Sequence, residues 1–298
     1  GGYTDSWCWE PHFLGWFAAR GWPAYALSLR GHGGSGGGDS LFITGLDDYV
    51  ADVEHVAGRL DAPPVLVGHS MGAAICERMM ATRPVRGAAL VAPVPPSGLL
   101  PVAARLAAKH PEHLAQLMGF DPTRLTEATL TALRPFYFSD RVEPAILQEA
   151  IAHLNGESPR ALFDLSLRLH WALPRRGSSP AFVLGAEGDR IAIPDDVRAT
   201  AQHHGVEATI LPGMAHMLML EPEWKNAAEA IAQGLSADFG ATTDTAVVDG
   251  YLAEFEATMA DMLARWPRAD FVEDPTALRP LADQAFPQAG GTATAPRR

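Results

Sequence analysis

A serine flanked by two glycines, at Gly68-x-Ser70-x-Gly72, stands at the end of a short apolar run. The run 65–67 predicts a buried strand, and the small and apolar residues after Gly72 predict a helix. A strand that delivers a serine into a tight turn before a helix is a nucleophile elbow, in which the flanking glycines leave room for strand and helix to approach. Ser70 is therefore the predicted nucleophile, and the N–H of Met71 can stabilise an oxyanion at the helix N-terminus.

An activated serine requires a base and an acid that orients the base. His216 is the predicted base, and Asp189 is the predicted acid. Asp189 follows the predicted strand 181–185, and His216 follows the next predicted strand, 207–211. Because the carboxyl ends of parallel strands meet at one edge of a sheet, we expect both side chains beside Ser70, with Ser70 Oγ within hydrogen-bond reach of His216. His216 would then take the serine proton, and Asp189 would hold the imidazole in the required tautomer.

Two other acids compete with Asp189 for the orienting role. They are Glu187, which precedes it, and Asp195, which follows it. Asp189 is favoured because Gly188-Asp189-Arg190 forms a short exposed loop at the strand end, whereas Glu187 lies nearer the strand. The resulting chain order is serine, then aspartate, then histidine, which is the order expected when an early strand carries the nucleophile.

Strands and helices alternate in residues 1–93 and again in residues 178–238, which predicts an α/β fold with a mostly parallel sheet. The strands predicted in the first part are 24–29, 65–67 and 88–91. Their apolar character indicates that helices cover both faces of the sheet. The predicted sheet would place Ser70, Asp189 and His216 at its C-terminal edge, where the sites of such folds lie.

Residues 94–177 interrupt this alternation with helical patterns and with no run that resembles a buried strand. We expect them to form a helical cap over the C-terminal ends of the strands, with Phe136 on an apolar pocket. Residues 239–298 are predicted to form a C-terminal extension of one amphipathic helix and a disordered tail rich in Pro, Ala and Gly.

Charge and composition exclude several classes of partner. The chain has 23 Lys and Arg against 35 Asp and Glu, a net charge of −12 with no basic block, so nucleic acid and anionic membrane surfaces are not expected partners. No apolar run is as long as a membrane span, so no stable membrane insertion is expected. The two cysteines are too few for a disulfide framework, and we expect a cytoplasmic protein unless a targeting segment precedes Gly1.

Two other motifs do not fit the binding sites that they resemble. Gly31-x-Gly33-x-x-Gly36 follows a strand, as in dinucleotide-binding proteins, but helical periodicity begins only near Leu46 rather than at the third glycine. The histidine pairs His110/His113 and His203/His204 have no cysteine or acid cluster beside them, so they are expected on solvated helix faces. No cofactor and no metal are therefore expected.

The catalytic motifs together resemble those of the α/β-hydrolases, over about residues 1–236. Within that family they are most similar to the bacterial lysophospholipase-like and monoacylglycerol-lipase-like serine hydrolases. The stretches that carry the resemblance are Gly68-His69-Ser70-Met71-Gly72, Arg30-Gly31-His32-Gly33-Gly34-Ser35, Gly185-Ala186-Glu187-Gly188-Asp189 and Gly213-Met214-Ala215-His216.

The resemblance implies further site residues. Trp7-Cys8-Trp9 resembles the segment after the family's His-Gly turn, and Gly2 takes the place of the residue whose N–H is the second oxyanion donor beside Met71. The family's first three strands would precede Gly1, so we expect the first strands of the sheet to be missing from this sequence. The residues expected to line the substrate pocket are Tyr3, Trp7, His69, Phe136 and Met217.

The predicted function is a serine hydrolase that cleaves carboxylic esters with an apolar acyl group through an acyl-enzyme intermediate. The expected partner is a small apolar ester. One alternative is the same triad acting on thioesters or carbon–carbon bonds, and another is a non-catalytic homologue that binds a ligand. Aspartate-nucleophile chemistry of the dehalogenase or epoxide-hydrolase kind is excluded, because position 70 is serine.

Overall fold

The computed structural model describes residues 1–167 and 181–239, with side chains up to residue 235. Within these residues four parallel strands form one sheet. In spatial order, which is also chain order, they are β1 (Val65–His69), β2 (Gly87–Val91), β3 (Ala181–Ala186) and β4 (Ala208–Leu211). The last residues of β1 and β2 pair with each other, as do those of β3 and β4. The four strands therefore end at one common edge.

Helices connect the strands and cover them. Within the described residues the α-helices are α1 (Gly15–Ala18), α2 (Leu46–Ala57), α3 (Met71–Thr82), α4 (Leu99–Lys109), α5 (Pro111–Met118), α6 (Glu127–Tyr137), α7 (Pro144–Ala152), α8 (Pro159–Ser166), α9 (Pro194–His204) and α10 (Trp224–Phe239). Short 3-10 turns cover Ser6–Trp9, Gly38–Ile43, Pro122–Arg124 and Leu218–Leu220, and a π-helical turn covers Glu10–Leu14.

The two faces of the sheet pack against different helices. Ala88 and Leu90 of β2 belong to one buried cluster, together with apolar residues of α2, α3 and α9. Ala89 and Val91 point to the opposite face, where the cluster includes the N-terminal residue Phe13 and the buried side of α10. Because successive side chains of a strand alternate between faces, a strand covered on both sides must be apolar throughout, as β2 is. The predicted α/β fold is thus confirmed.

The predicted strand 24–29 is wrong, because these residues form no strand in the structure. Tyr25 within it is 72% exposed, which does not fit a buried strand. An extended segment becomes a strand only when a neighbour completes the hydrogen-bonded ladder. Among the described residues β1 pairs only with β2, so no strand stands between β1 and this segment.

The segment between β2 and β3 contains helices α4 to α8 up to residue 167. Helix α8 ends at Ser166, and residues 168–177 of the predicted helical region 94–177 lie outside the described residues. The predicted extension 239–298 likewise lies outside them after residue 239. None of the helices that the structure describes combines the length and apolar character needed to cross a membrane.

Candidate active site

Ser70 occupies a strained turn between β1 and α3. Its backbone has φ 53° and ψ −116°, a conformation that non-glycine residues rarely adopt, and its N–H donates to Val91 O at 2.9 Å. A Cβ on Gly68 would lie 2.3 Å from Gly72 O, so position 68 must be glycine. Gly72 is different, since the nearest neighbour of an added Cβ would be Gly1 N at 3.9 Å. The prediction that both flanking glycines are needed for strand and helix to approach is therefore wrong at position 72.

Strained backbone is concentrated at this end of the sheet. Among the described residues, the non-glycine positions with positive φ are Tyr3, Ser70 and Ala92. Ala92 directly follows β2, next to the strand that carries Ser70, and its N–H donates to Leu184 O at 2.7 Å. Such strain persists only where the surrounding structure over-determines it, and it clusters at functional sites. The concentration therefore identifies the C-terminal edge of the sheet as the candidate site.

His216 and Asp189 lie against each other at the same edge. Asp189 Oδ2 is 2.7 Å from His216 Nδ1, and both residues are 3% exposed. A carboxylate beside Nδ1 requires a proton on that nitrogen, which leaves Nε2 as the unprotonated nitrogen that can accept one. In the neutral imidazole this is the tautomer that a histidine base held by an acid requires.

Backbone donors fix the other oxygen of Asp189. Asp189 Oδ1 accepts from Ile191 N at 2.8 Å and from Ala192 N at 2.9 Å, so the carboxylate orientation is set by the loop itself. The rival acids have other surroundings, since Glu187 is exposed and Asp195 is paired with Arg198 at 2.8 Å. Asp189 is thus the acid that contacts His216.

The expected hydrogen bond between Ser70 Oγ and His216 does not form in this structure. Among the described residues no hydrogen bond joins these two side chains. Ser70 is half-buried, and His216 is buried. In unliganded hydrolases the catalytic hydrogen bonds are often long and shorten when substrate binds. The geometry therefore brings together the acid and the base, and leaves the serine on the adjacent turn.

Met71 and Gly2, the two predicted oxyanion donors, belong to neighbouring segments. Helix α3 begins at Met71, so its N–H is one of the first-turn groups that have no partner inside the helix. The segment that contains Gly2 packs against the same turn, because a Cβ on Gly72 would lie 3.9 Å from Gly1 N. Both donors thus come from backbone next to the strained serine.

His69 links the turn that contains Ser70 to the loop that carries His216, which we call the histidine loop. Its Nε2–H donates to His216 O at 3.0 Å, and the two rings lie 4.6 Å apart between centres. Burial lowers the pKa of His69 well below its ordinary value, and the nearby charge of His216 lowers it further, so His69 is neutral. A neutral His69 places no second positive charge beside His216 when that residue takes up a proton.

The remaining predicted pocket residues lie in different surroundings. Met217 is buried beside the histidine loop, and Phe136 is buried in a separate cluster of α4 and α6. Tyr3 packs edge-on against Phe120 with 5.0 Å between ring centres. Trp7 stacks on His153 and lines a surface depression of about 390 Å³ that contains polar and acidic residues.

Tyr137 contacts His216, but sequence reasoning did not identify it as a residue of the site. Its ring meets the His216 ring edge-on at 5.8 Å between centres, and its carbonyl accepts from Met217 N at 2.9 Å. Burial raises the pKa of its hydroxyl, so Tyr137 is neutral. Tyr137 stands at the end of an amphipathic helix, where apolar spacing indicates packing and gives no sign of a catalytic neighbour.

Glu221 is a second residue that sequence reasoning missed. Its buried carboxylate accepts from Ser139 N at 2.8 Å, from Ser139 Oγ at 2.5 Å and from Ala215 N at 3.2 Å. It therefore ties the loop that carries His216 to the linker between α6 and α7. The signal available in the sequence was a single acid at the end of the apolar run 217–220, and such an acid needs several donors to be buried.

Two of the histidines expected on solvated faces are buried, which corrects that prediction. His113 is 2% exposed with its ring stacked on Phe136 at 3.4 Å between centres, and burial lowers its pKa to about 4. His204 is 7% exposed and its Nε2 lies 2.9 Å from the buried Glu77 Oε1. In the described part of the chain no three His, Cys, Asp or Glu residues come close enough to hold a metal.

A parallel sheet with a strained serine after β1 and an acid–histidine pair after β3 and β4 is the arrangement seen in hydrolases that have a nucleophile elbow. The chain belongs to the alpha/beta hydrolase family, whose family model matches residues 1–233. The motifs for which the sequence resembles this family lie within those residues.

The chain is similar to several individual members. It is 26% identical to the monoacylglycerol lipase of Mycolicibacterium smegmatis over 224 residues, which are 70% of this chain and 76% of that protein. Among solved structures, the monoacylglycerol lipase of Paleococcus ferrophilus has a TM-score of 0.53 at 22% identity, with 80% of this chain and 92% of that one covered. A methylesterase from Arabidopsis has a TM-score of 0.59 at 16% identity, with 79% and 95% covered. The two solved structures share the fold with this chain.

Proposed function

We propose that this protein is a serine hydrolase that cleaves carboxylic esters with an apolar acyl group. The observation that carries the proposal is the 2.7 Å contact between His216 Nδ1 and Asp189 Oδ2 at the sheet edge where Ser70 stands in a strained turn. An acid-held histidine whose Nε2 is free to accept a proton is the base that a serine nucleophile needs. Membership of the alpha/beta hydrolase family supports the same chemistry.

In the proposed reaction His216 Nε2 takes the proton of Ser70 as Ser70 Oγ attacks the ester carbonyl. The N–H groups of Met71 and Gly2 stabilise the negative oxygen of the tetrahedral intermediate. His216 then gives its proton to the leaving alcohol, which leaves an acyl group on Ser70. Water attacks this acyl-enzyme with His216 again as the base, and the carboxylic acid and free serine are released. Asp189 stabilises the imidazolium at each stage and does not itself become protonated.

An apolar acyl group is proposed because apolar side chains surround the base. Met217 and Tyr137 contact the histidine loop, and the helices between β2 and β3 contribute further buried apolar residues. The similarity to monoacylglycerol lipases supports an ester of a fatty acid. Each methylene that becomes buried contributes about 0.8 kcal/mol, which is nearly fourfold in affinity.

A fluorophosphonate probe tests the proposal directly, because it reacts with activated serines. We expect the chain to be labelled, and we expect labelling to disappear in Ser70→Ala and to fall strongly in His216→Gln. A matched control is Ser97→Ala, which removes a different serine near the end of β2. A folded chain that takes up no probe and hydrolyses no p-nitrophenyl ester would instead be a ligand-binding homologue. Loss of labelling in the control would show that the probe reacts elsewhere.

A further inference from the structure

Glu157 is a fully buried carboxylate that accepts hydrogen bonds from four groups. It stands between α7 and α8, and its side chain is 0% exposed. Oε1 accepts from the Tyr49 hydroxyl at 2.7 Å and from Ser158 N at 2.7 Å. Oε2 accepts from Tyr3 N at 3.2 Å and from His32 Nε2 at 3.2 Å. A buried carboxylate with this many donors is held in one orientation.

His32 compensates the negative charge of Glu157. His32 Nδ1 lies 3.0 Å from the Arg30 carbonyl, which can only accept, and Nε2 faces the carboxylate, so both nitrogens carry protons. Burial lowers the pKa of His32, but the hydrogen bond and charge of Glu157 raise it by more, and the net shift is upward. Burial raises the pKa of Glu157, yet His32 and Tyr49 lower it overall. The buried group is therefore an ion pair with no net charge.

The segment around Glu157 holds both backbone groups of Tyr3. Tyr3 N donates to Glu157 Oε2, and Tyr3 O accepts from Asn155 N at 2.9 Å. Tyr3 is one of the non-glycine residues with positive φ, at 62°, which is a conformation that needs such external support. With both sides of Tyr3 fixed, the peptide that joins it to Gly2 has little freedom to rotate. The Gly2 N–H belongs to the preceding peptide, and Thr4 Oγ1 holds that peptide by donating to Gly1 O at 3.0 Å. The peptides on both sides of Gly2 are thus anchored, which restricts the direction of its N–H.

We propose that Glu157 is a positioning residue of the active site: it fixes the peptide after Gly2 while Thr4 holds the peptide before it, and Gly2 is thereby kept with its N–H aimed at the oxyanion formed on Ser70. The inference rests on the proposed function, because it needs an oxyanion to be stabilised. Tyr3 N–H is occupied by the carboxylate, so Gly2 is left as the donor from this segment. The positive His32 prevents the carboxylate from repelling the oxyanion. Glu157 acts through Gly2 and does not touch the substrate.

The test compares two substitutions at position 157 with p-nitrophenyl butyrate as substrate. Glu157→Met has a similar length but no acceptor, and we expect kcat to fall about 10- to 100-fold with KM changed less than about twofold. Glu157→Gln retains an amide oxygen for Tyr3 N–H, but its NH₂ faces Ser158 N–H as well as the Tyr49 hydroxyl, so the melting temperature should fall while kcat recovers to at least about fivefold above that of Glu157→Met. The affinity for an alkylboronic acid, which forms a tetrahedral adduct on the serine, should fall in parallel with kcat.

Glu77→Met is the matched control, because Glu77 of α3 also forms a fully buried carboxylate–histidine pair, with His204 of α9, and neither residue belongs to the candidate site. It should lower the melting temperature and keep kcat within about twofold. If Glu157→Met does not fold, Tyr49→Phe serves instead, since it removes one hydrogen bond from Glu157 and leaves the buried ring; we expect about a threefold loss of kcat at constant KM.

Several outcomes would overturn the inference. An unchanged kcat in Glu157→Met, or in Tyr49→Phe where that variant replaces it, shows that the oxyanion donor does not depend on this carboxylate. A rise in KM at constant kcat shows instead that Glu157 contacts the substrate. A kcat of Glu157→Gln as low as that of Glu157→Met, or an equal loss in Glu77→Met, shows a general effect of a buried charge. An unsubstituted chain without labelling or turnover overturns the proposed function itself.

Discussion

Substitution of Asp189 by Asn should leave His216 in the wrong tautomer. Asp189 Oδ1 accepts from Ile191 N and Ala192 N, and Oδ2 accepts from His216 Nδ1 at 2.7 Å. An asparagine keeps one oxygen and replaces the other by NH₂. The two backbone donors hold the oxygen, so the NH₂ turns toward His216 Nδ1. That nitrogen must then give up its proton and accept, which moves the proton to Nε2 and removes the base.

The expected fall in kcat follows from the free energy needed to turn the introduced amide the other way round. Turning the amide to restore the active tautomer would set its NH₂ against two backbone N–H groups. Each unmade hydrogen bond costs about 1–3 kcal/mol, or about 2–6 kcal/mol for the two. At about 1.4 kcal/mol for each factor of ten, the active form is depleted roughly 30-fold to roughly 20,000-fold. We expect kcat to fall within this range in Asp189→Asn.

The assay is ester turnover, with the melting temperature measured on the same preparation. Because the amide retains both hydrogen bonds of the loop, Asp189→Asn should melt within a few degrees of the original protein, so lost activity would not reflect unfolding. Glu187→Gln is the control, since Glu187 is an exposed acid two positions away, and it should retain full activity. A kcat within about threefold in Asp189→Asn would refute the assignment of Asp189 as the orienting acid.

Three further outcomes are expected. Gly68→Ala should cost more than about 4 kcal/mol in urea unfolding or prevent folding, because its Cβ would meet Gly72 O at 2.3 Å, whereas Gly72→Ala should stay within about 1 kcal/mol. His32→Gln removes the ion pair with Glu157 and should lower the free energy of unfolding most between pH 4.5 and 6.5. These limits are the ordinary pKa values of Glu and His. The effect should vanish as pH rises through the raised pKa of His32 or falls through the lowered pKa of Glu157, which melting temperatures measure. Esters from acetate to octanoate should be hydrolysed with rising kcat/KM until the cleft is filled, and a flat series would contradict an apolar acyl site.

The features that could be predicted from the sequence are the ones encoded locally. The elbow around Ser70 was recognisable because an apolar strand, two glycines and a helix follow one another within a few residues. Asp189 and His216 could be singled out because each follows a strand late in the chain, and the strands after which they stand are β3 and β4. In each case the pattern of neighbours in the sequence carries the structural information.

The features that could not be predicted depend on distant partners. The segment 24–29 has the composition of a strand, but a strand needs a paired neighbour, and composition does not reveal whether one is there. Glu157 is separated from its partner Tyr3 by 154 positions and from His32 by 125. His113 was expected on a solvated face, yet Phe136 covers it. No periodicity marks contacts of this range.

The hydrogen bonds around the histidine loop determine how this part of the protein unfolds locally. Glu221 binds Ser139 and Ala215, and Met217 N donates to Tyr137 O, so residues 137–141 and 213–221 are held together by several separate bonds. Arg141 adds contacts to Gly213 O and Glu223. Amides in such a unit exchange with solvent only when the whole unit opens, so the N–H groups of Ser139 and Met217 should exchange at a common rate in deuterium oxide. The end of α6 and the loop of the base would then unfold as one cooperative segment, although more than 70 positions separate them in the chain.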